Sequence, residues 1–225
     1  MASDKGYSGL EIAIIGISAQ FPESRNYREF WQNLKEGKEM IKTFTDEELK
    51  KLGVPESALQ NKQFVKSAAI LSDKDCFDHG FFGSSVEEAS FMDPQIRLFH
   101  QHCWMALEDA GYSSVIDTKK IGLFAGASIN DNWKIYVSAK SANISIDPFF
   151  LKKIMSQHLI STLVSYKLNL RGPSIYVDTA CSTSLSAVHL ACRSLMTREA
   201  PLALAGGICI RTEKVKGYFY KEGMI

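Results

Sequence analysis

No hydrophobic run in this 225-residue chain is long enough to cross a bilayer: the longest near-continuous ones are Ile12–Ile17 and Leu202–Ile210. Charge of one sign is also missing. Lys plus Arg total 26 against 25 for Asp plus Glu, a net charge of +1. That balance gives no support for a nucleic-acid binder, which normally shows a basic surplus. The opening MASDKGYSGLEI has neither the basic region nor the apolar run of a signal peptide. The five cysteines, 76, 103, 181, 192 and 209, include no pair with the two-residue gap of a zinc knuckle or a redox motif. Reduced thiols in a cytoplasmic protein are expected, with no metal and no membrane partner. What is present is 45% hydrophobic and 23% charged, the composition of an ordinary globular protein, which excludes disordered, collagen-like and disulfide-scaffold chains.

Residues 1–9 are polar and Gly/Ser-containing and read as a disordered lead-in to one folded region over 10–225. Glu11–Ile17 (EIAIIGI) has the isoleucine-rich pattern of a strand buried on both faces. Ser18–Pro22 follow it in place of further glycines, so a dinucleotide-binding turn has little support. Tyr27, Phe30, Trp31 and Leu34 form one stripe of a helix over Asn26–Glu36, ended by Gly37. The stretch 43–75 is charged and irregular, a surface insertion with a short helical piece at Asp46–Leu52. A second helix is predicted over Asp93–Ala110, with Pro94 in its first turn, Gly111 as its stop, and Leu98, Trp104, Ala106 and Leu107 on its buried side. Then come a strand at Ile121–Ala125, a loop over 130–150, a helix at Leu151–Leu168 and a turn at Asn169–Pro173. A strand at Ser174–Asp178, a helix from about Cys181 to Thr197 and a strand at Leu202–Ile210 complete the order. Alternating strands and helices imply a layered α/β fold.

The segment Ile175–Leu195, IYVDTACSTSLSAVHLACRSL, carries the chemistry. A β-branched strand leads into small residues, and Cys181 falls where a helix begins, with Leu185, Val188, Cys192 and Leu195 expected on that helix's buried face. Backbone N–H groups and the macrodipole at a helix start favour negative charge, so a cysteine there should carry more thiolate. The same N–H groups could stabilise an oxyanion. By residue type alone, however, a free cysteine at a strand–helix joint is more often a small buried hydrophobe.

VDTACSTSLSAVHLA resembles the active-site segment of β-ketoacyl synthases, in particular the ketosynthase domains of modular polyketide synthases. EIAIIGISAQFPESRNYREFWQNLKEGKEMI resembles the start of those domains, and FDHGFFGSSVEEASFMDPQIRLFHQHCWMALEDAGY their long central segment. IGLFAGAS, NLRGPS and LALAGGICI follow in the same order, so the likeness runs from about Leu10 to the end, and MDPQ at Met92–Gln95 is the polyketide form. The resemblance implies the N-terminal half of a thiolase-like layered α/β/α fold, and a homodimer with the strand before Cys181 at the contact. It implies that Cys181 takes an acyl chain as a thioester from the phosphopantetheine of an acyl carrier protein, no cofactor being bound directly. A malonyl-type unit on a second carrier then loses carbon dioxide and attacks that thioester. It also places the loop near Asn130–Trp133 close to the acyl pocket. Basic patches for carrier docking could include Lys119–Lys120, Lys134, Lys140 and Lys152–Lys153, although scattered solvated lysines are the simpler reading of each.

The family's two catalytic histidines, in His-Gly-Thr-Gly-Thr and Asn-Lys…Gly-His motifs, have no counterpart in this sequence. His189 is eight residues past Cys181 on the same predicted helix, about 12 Å along the axis and too far for a nucleophile–base pair. His100 and His102 point to different sides of their helix and make a poor metal pair. His79 suits a surface turn, and His158, one helix before the active-site turn, is expected to be structural. The leading expectation is therefore a polyketide ketosynthase half that supplies the nucleophile but no acid–base pair. The alternatives are a truncated or non-condensing half-domain that only holds acyl groups, binds carriers or dimerises, and, more weakly, a cysteine hydrolase.

Overall fold

The computed structural model describes residues 8–113, 120–141, 147–211 and 216–223. They fall into two compact units. The first gathers the described residues up to Ser18, Phe77–Ile129 and Lys140–Cys209; the second holds Ala19–Cys76, Asn130–Ala139 and the described residues from Ile210 onward.

The first unit is built on a three-stranded parallel sheet. β4 (Ile121–Ala127) lies between β5 (Ser174–Tyr176) and β6 (Leu202–Ile208). All seven residues of β4 are buried, as its continuous apolar run IGLFAGA requires of a central strand covered on both faces. Side chains alternate across a strand, and here the alternation sorts the layers. Ile121, Leu123, Ala125 and Ala127 pack into one core with Ile96, Phe99, Cys103 and Leu107 of helix α5 (Pro94–Asp109) and Ile160, Leu163 and Val164 of helix α8 (Ile160–Lys167). Phe124 faces the other way, into a smaller core with Val177 and with Ala187 and Ala191 of helix α9 (Thr183–Met196). Helices on both faces of a parallel sheet are the layered α/β/α arrangement predicted above.

α5 starts as its sequence dictates. Asp93 caps it by accepting from the Gln95 N–H at 2.8 Å, and Pro94 occupies the first turn, where a missing N–H costs nothing. Leu98 and Leu107 are buried as expected, while Trp104 and Ala106 are only partly so. The first two turns are buried all round, Gln95, Arg97 and His100 included.

Several expectations need correction. Glu11–Ile17 forms no strand: Ile14, Ile15 and Ile17 are 80%, 48% and 45% exposed. A strand needs a ladder, and this run instead lies against the end of α5. A Cβ on Gly16 would stand 2.4 Å from the Ala106 carbonyl oxygen, and the Ile17 N–H donates to Asp109 Oδ2 at 2.9 Å. On α9, the buried residues are Ala187, Ala191 and Ser194, whereas Leu185 and Val188 are 72% and 43% exposed. The helix carries two apolar faces, and the sheet takes the one with small side chains because it permits the closer approach. The single helix predicted over Leu151–Leu168 is two, α7 (Pro148–Ile154) and α8, joined through a 3-10 turn at Gln157–Leu159. The short helix α4 (Val86–Phe91), N-capped by Ser85, has no counterpart among the predicted elements.

In the second unit, the stretch 43–75 is not mere surface: Phe44, Leu49, Leu59 and Ala68 form a core of their own. Helix α2 (Asp46–Lys51) opens with a capping box between Thr45 and Glu48, and helix α3 (Glu56–Leu59) follows. The two-residue strands β1 (Lys42–Thr43) and β3 (Ser67–Ala68) pair antiparallel, as do β2 (Phe64–Val65) and β7 (Tyr218–Phe219). Helix α1 (Tyr27–Lys35) is N-capped by Asn26 but buries no residue, and its Trp31 is 62% exposed. Helix α6 (Asp131–Ser141), of which the residues up to Ala139 belong to this unit, occupies part of the predicted 130–150 loop; residues 142–146 lie outside the described ones. Residues 1–7 of the lead-in and Lys119 are also outside them, while the Ser8 and Gly9 N–H groups donate to the Glu11 carboxylate at 2.7 and 2.9 Å. Those bonds hold the Glu11 carboxyl at about 2, below its ordinary range. No described helix is long and apolar enough to cross a membrane.

Candidate active site

Cys181 sits where β5 hands the chain to α9. After β5, Val177 continues the pairing, its N–H donating to the Ala125 carbonyl at 2.9 Å. The chain then turns through a single 3-10 turn, Ala180–Ser182, before α9 begins. Ala180, immediately before the cysteine, has φ +53°, a left-handed conformation that costs a non-glycine residue on the order of 1 kcal/mol. Surrounding contacts hold it there. The Ala180 N–H donates to Asp178 Oδ1 at 3.2 Å and the Thr179 N–H to Thr183 Oγ1 at 3.0 Å. Ser182 Oγ donates to the Thr179 carbonyl at 2.8 Å, and Thr179 Oγ1 lies 2.9 Å from Ser186 Oγ.

Thr179, Ser182 and Thr183 of TACSTS thus spend their hydroxyls on the shape of the turn. None caps the helix: Ser182, at the N-cap, makes no side-chain cap bond. The N-cap residue thus offers no side-chain partner to the positive end of α9 beside the thiol. The sequence expectation of several open N–H donors is reduced, because the Ser182 N–H is bound to the Thr179 carbonyl and the Thr183 N–H to that of Ala180. A 3-10 turn closes these bonds one residue sooner than an α-helix would.

Gly126 explains how the turn comes so close to the sheet. A Cβ at this position would stand 2.1 Å from the Val177 carbonyl oxygen and 2.2 Å from Thr183 Cγ2. Only glycine lets the central strand touch the turn that carries Cys181.

Cys181 is exposed, unlike Cys103, which is buried and whose thiol is pushed up by desolvation. Exposure alone does not single it out, since Cys76 and Cys209 are exposed too; the turn does. The histidines are engaged elsewhere or face solvent. His79 Nδ1 lies 2.9 Å from the Ser84 carbonyl, His102 Nδ1 2.7 Å from Ser18 Oγ, and His100 Nδ1 2.7 Å from the Ile96 carbonyl. Burial lowers the His100 ring to about 4, so it is neutral at pH 7. His158 and His189 are exposed. Among the described residues, no group of three His, Cys, Asp or Glu side chains is placed to hold a metal.

The remaining candidates are placed as follows. Asn130 is buried and its Oδ1 accepts from the Trp133 N–H at 3.3 Å, at the start of α6 in the second unit. Lys134 pairs with Asp131 at 3.0 Å, Lys140 lies over the Phe91 ring at 4.9 Å, and Lys152 and Lys153 close the last turn of α7. The MDPQ stretch builds more than a helix start: Asp93, Gln95 and Gln157 form a buried polar group under the end of β4, which the sequence expectations did not include. The signal was a Gln directly after an Asp-Pro helix start.

Comparison with known proteins shows the family and the fold. Residues 10–224 match the family model "Beta-ketoacyl synthase, N-terminal domain", and the chain belongs to the β-ketoacyl synthase family. It is 37% identical over 214 residues to polyketide synthase PksN of Bacillus subtilis, covering 95% of this chain and 4% of that protein. It is 38% identical over 200 residues to polyketide synthase ThaG of Burkholderia thailandensis, covering 88% of this chain and 4% of that one. The chain thus spans only a small part of the length of these relatives. Ketosynthase twelve of the bacillaene polyketide synthase of Bacillus amyloliquefaciens superposes with a TM-score of 0.88 at 38% identity, over 97% of this chain and 38% of that structure. The module 1 ketosynthase of the same species' bacillaene synthase gives a TM-score of 0.77 at 40% identity, over 89% and 35%. The fold is the thiolase-like fold of polyketide ketosynthases, of which this chain spans the N-terminal portion.

Proposed function

We propose that the chain is the nucleophile-bearing part of a polyketide ketosynthase. The Cys181 thiolate attacks the thioester carbonyl of an acyl chain delivered on the phosphopantetheine of an acyl carrier protein. The tetrahedral intermediate collapses, the carbonyl–sulfur bond to pantetheine breaks, and the pantetheine thiol leaves. In a complete domain a malonyl-type extender then loses carbon dioxide, and its carbanion attacks the Cys181 thioester. A carbon–carbon bond forms and the thiolate is returned. The observation that supports this reading most is the exposed thiol on a strained turn, at a helix start left without a side-chain cap. Assembly as a homodimer in the cytoplasm belongs to the same proposal.

The histidines bear on the second half of the cycle. His79, His100 and His102 have their hydrogen-bond partners away from Cys181, and neither family histidine motif is in the sequence. The chain alone is therefore expected to load but not to condense. The test offers the purified chain an acyl-N-acetylcysteamine thioester, a short pantetheine mimic, and then malonyl-carrier. A thioester adduct without carbon–carbon elongation is the expected result. Failure to load contradicts the proposal; elongation contradicts the assignment of acid–base chemistry to residues outside this sequence.

A further inference from the structure

The end of β4 is held by more bonds than its own ladder supplies. Gln95, fully buried in the first turn of α5, grips Ser128 twice: Gln95 Nε2 donates to the Ser128 carbonyl at 2.9 Å, and Ser128 Oγ donates to Gln95 Oε1 at 2.7 Å. One residue back, Tyr176 Oη donates to the Ala127 carbonyl at 3.1 Å. The Ser128 N–H donates to the Ile208 carbonyl at 3.1 Å. The Ala127–Ser128 segment is thereby tied to β5, to β6 and to α5. Gln95 is itself fixed, its N–H bound by Asp93 Oδ1, while Asp93 Oδ2 faces Gln157 Nε2 at 3.5 Å. Gly126, two residues before Ser128, is where the strand meets the Val177 carbonyl and Thr183 Cγ2.

We infer that Gln95 is a positioning residue for Cys181. It fixes the carboxyl end of β4, and through the Gly126 contact that end sets the height and tilt of the 180–182 turn. Both amide atoms of this buried Gln are bonded, so loss of a partner leaves a buried polar atom unsatisfied. The inference rests on the reading of Cys181 as the acyl acceptor, but its mechanical part can be judged separately.

The experiment compares the chain with Gln95→Met, which keeps the length and removes both bonds, and Ser128→Ala, which removes one bond from the less buried side. Alkylation of buried Cys103 reports whether the fold is intact. Amide hydrogen exchange is followed over 122–130 and over 176–184. Exchange about tenfold faster in both segments is expected for Gln95→Met, and a smaller rise in both for Ser128→Ala. A rise confined to 122–130, or in neither segment, overturns the inference. If Gln95→Met exposes Cys103, Ser128→Ala decides by the same criteria. A second readout is the rate of Cys181 acylation divided by its rate of iodoacetamide alkylation. Positioning governs the first reaction and simple thiolate supply the second, so the ratio should fall by about tenfold; an unchanged ratio also overturns the inference. Absence of acylation in the unmodified chain refutes the acyl-acceptor reading instead, and leaves the exchange result to judge the clamp.

Discussion

Replacing Gly126 by alanine puts one methyl group between the central strand and the turn that carries Cys181. The new Cβ would stand 2.1 Å from the Val177 carbonyl oxygen and 2.2 Å from Thr183 Cγ2. One neighbour is backbone held by the Val177–Ala125 pairing, and the other is a β-branched side chain whose hydroxyl is bound to the Thr179 N–H. Neither can rotate away, so strand and turn must separate by about 1 Å. Overpacking of this kind costs about 3 kcal/mol. Buried Cys103 provides the assay, because its alkylation requires opening of the first unit's core. A loss of about 3 kcal/mol raises that labelling rate on the order of a hundredfold. Thr183→Ser removes the methyl in the second clash and keeps the hydroxyl. In that background Gly126→Ala should cost about 1 kcal/mol less, an interaction typical of residues in direct contact. A rise in Cys103 labelling below about fivefold for Gly126→Ala, or an equal cost in both backgrounds, would refute the reasoning.

Acid stability should depend on His100. Burial lowers its ring from 6.5 to about 4, so below about pH 6.5 the unfolded chain binds a proton that the folded chain does not. Stability is lost as pH falls through that window, by up to about 3 kcal/mol near pH 4. The urea midpoint should show a component of this slope that His100→Leu removes; identical slopes in the two proteins would contradict it. Exposed Ile14, Ile175 and Leu185, at 80%, 41% and 72%, leave apolar surface on the first unit. Light scattering should show self-association of the chain, reduced by Leu185→Lys, and a stable monomer before substitution would count against this. Lys167 donates to the Gly83 carbonyl at 2.7 Å and lies 3.7 Å from Glu88 in a largely shielded pair. Lys167→Met should destabilise by about 1 kcal/mol, read as faster Cys103 labelling, while an unchanged rate would place that pair among those without measurable effect.

The sequence announced the elements whose patterns are local. Asp93–Pro94 marks the start of α5, and the apolar run of β4 and the small residues around Cys181 imply a covered strand and a tight turn. It misled where a pattern needs a partner to decide its outcome. EIAIIGI carries strand propensity, yet pairing is a tertiary event, and the run lies on α5 instead. α9 has two apolar faces, and periodicity cannot say which one a sheet with glycines at 122 and 126 will accept. Buried polar contacts were the least visible. Nothing in the spacing of Gln95 and Ser128, 33 residues apart, announces that they bond. The cysteine itself was legible through its small neighbours and its place between strand and helix. The left-handed Ala180 and the uncapped start of α9 came only from the structure.

The most direct test of Cys181 as the acyl acceptor is to map the first acyl group the chain takes up. With acyl-N-acetylcysteamine supplied below one equivalent, peptide mass mapping reports which of the five cysteines carries the thioester. The adduct is expected on Cys181, with none on Cys76 and Cys209, which are exposed as well, and no rapid loading in Cys181→Ala. Acyl groups spread over the exposed cysteines in proportion to their accessibility, or rapid loading that survives Cys181→Ala, would contradict it.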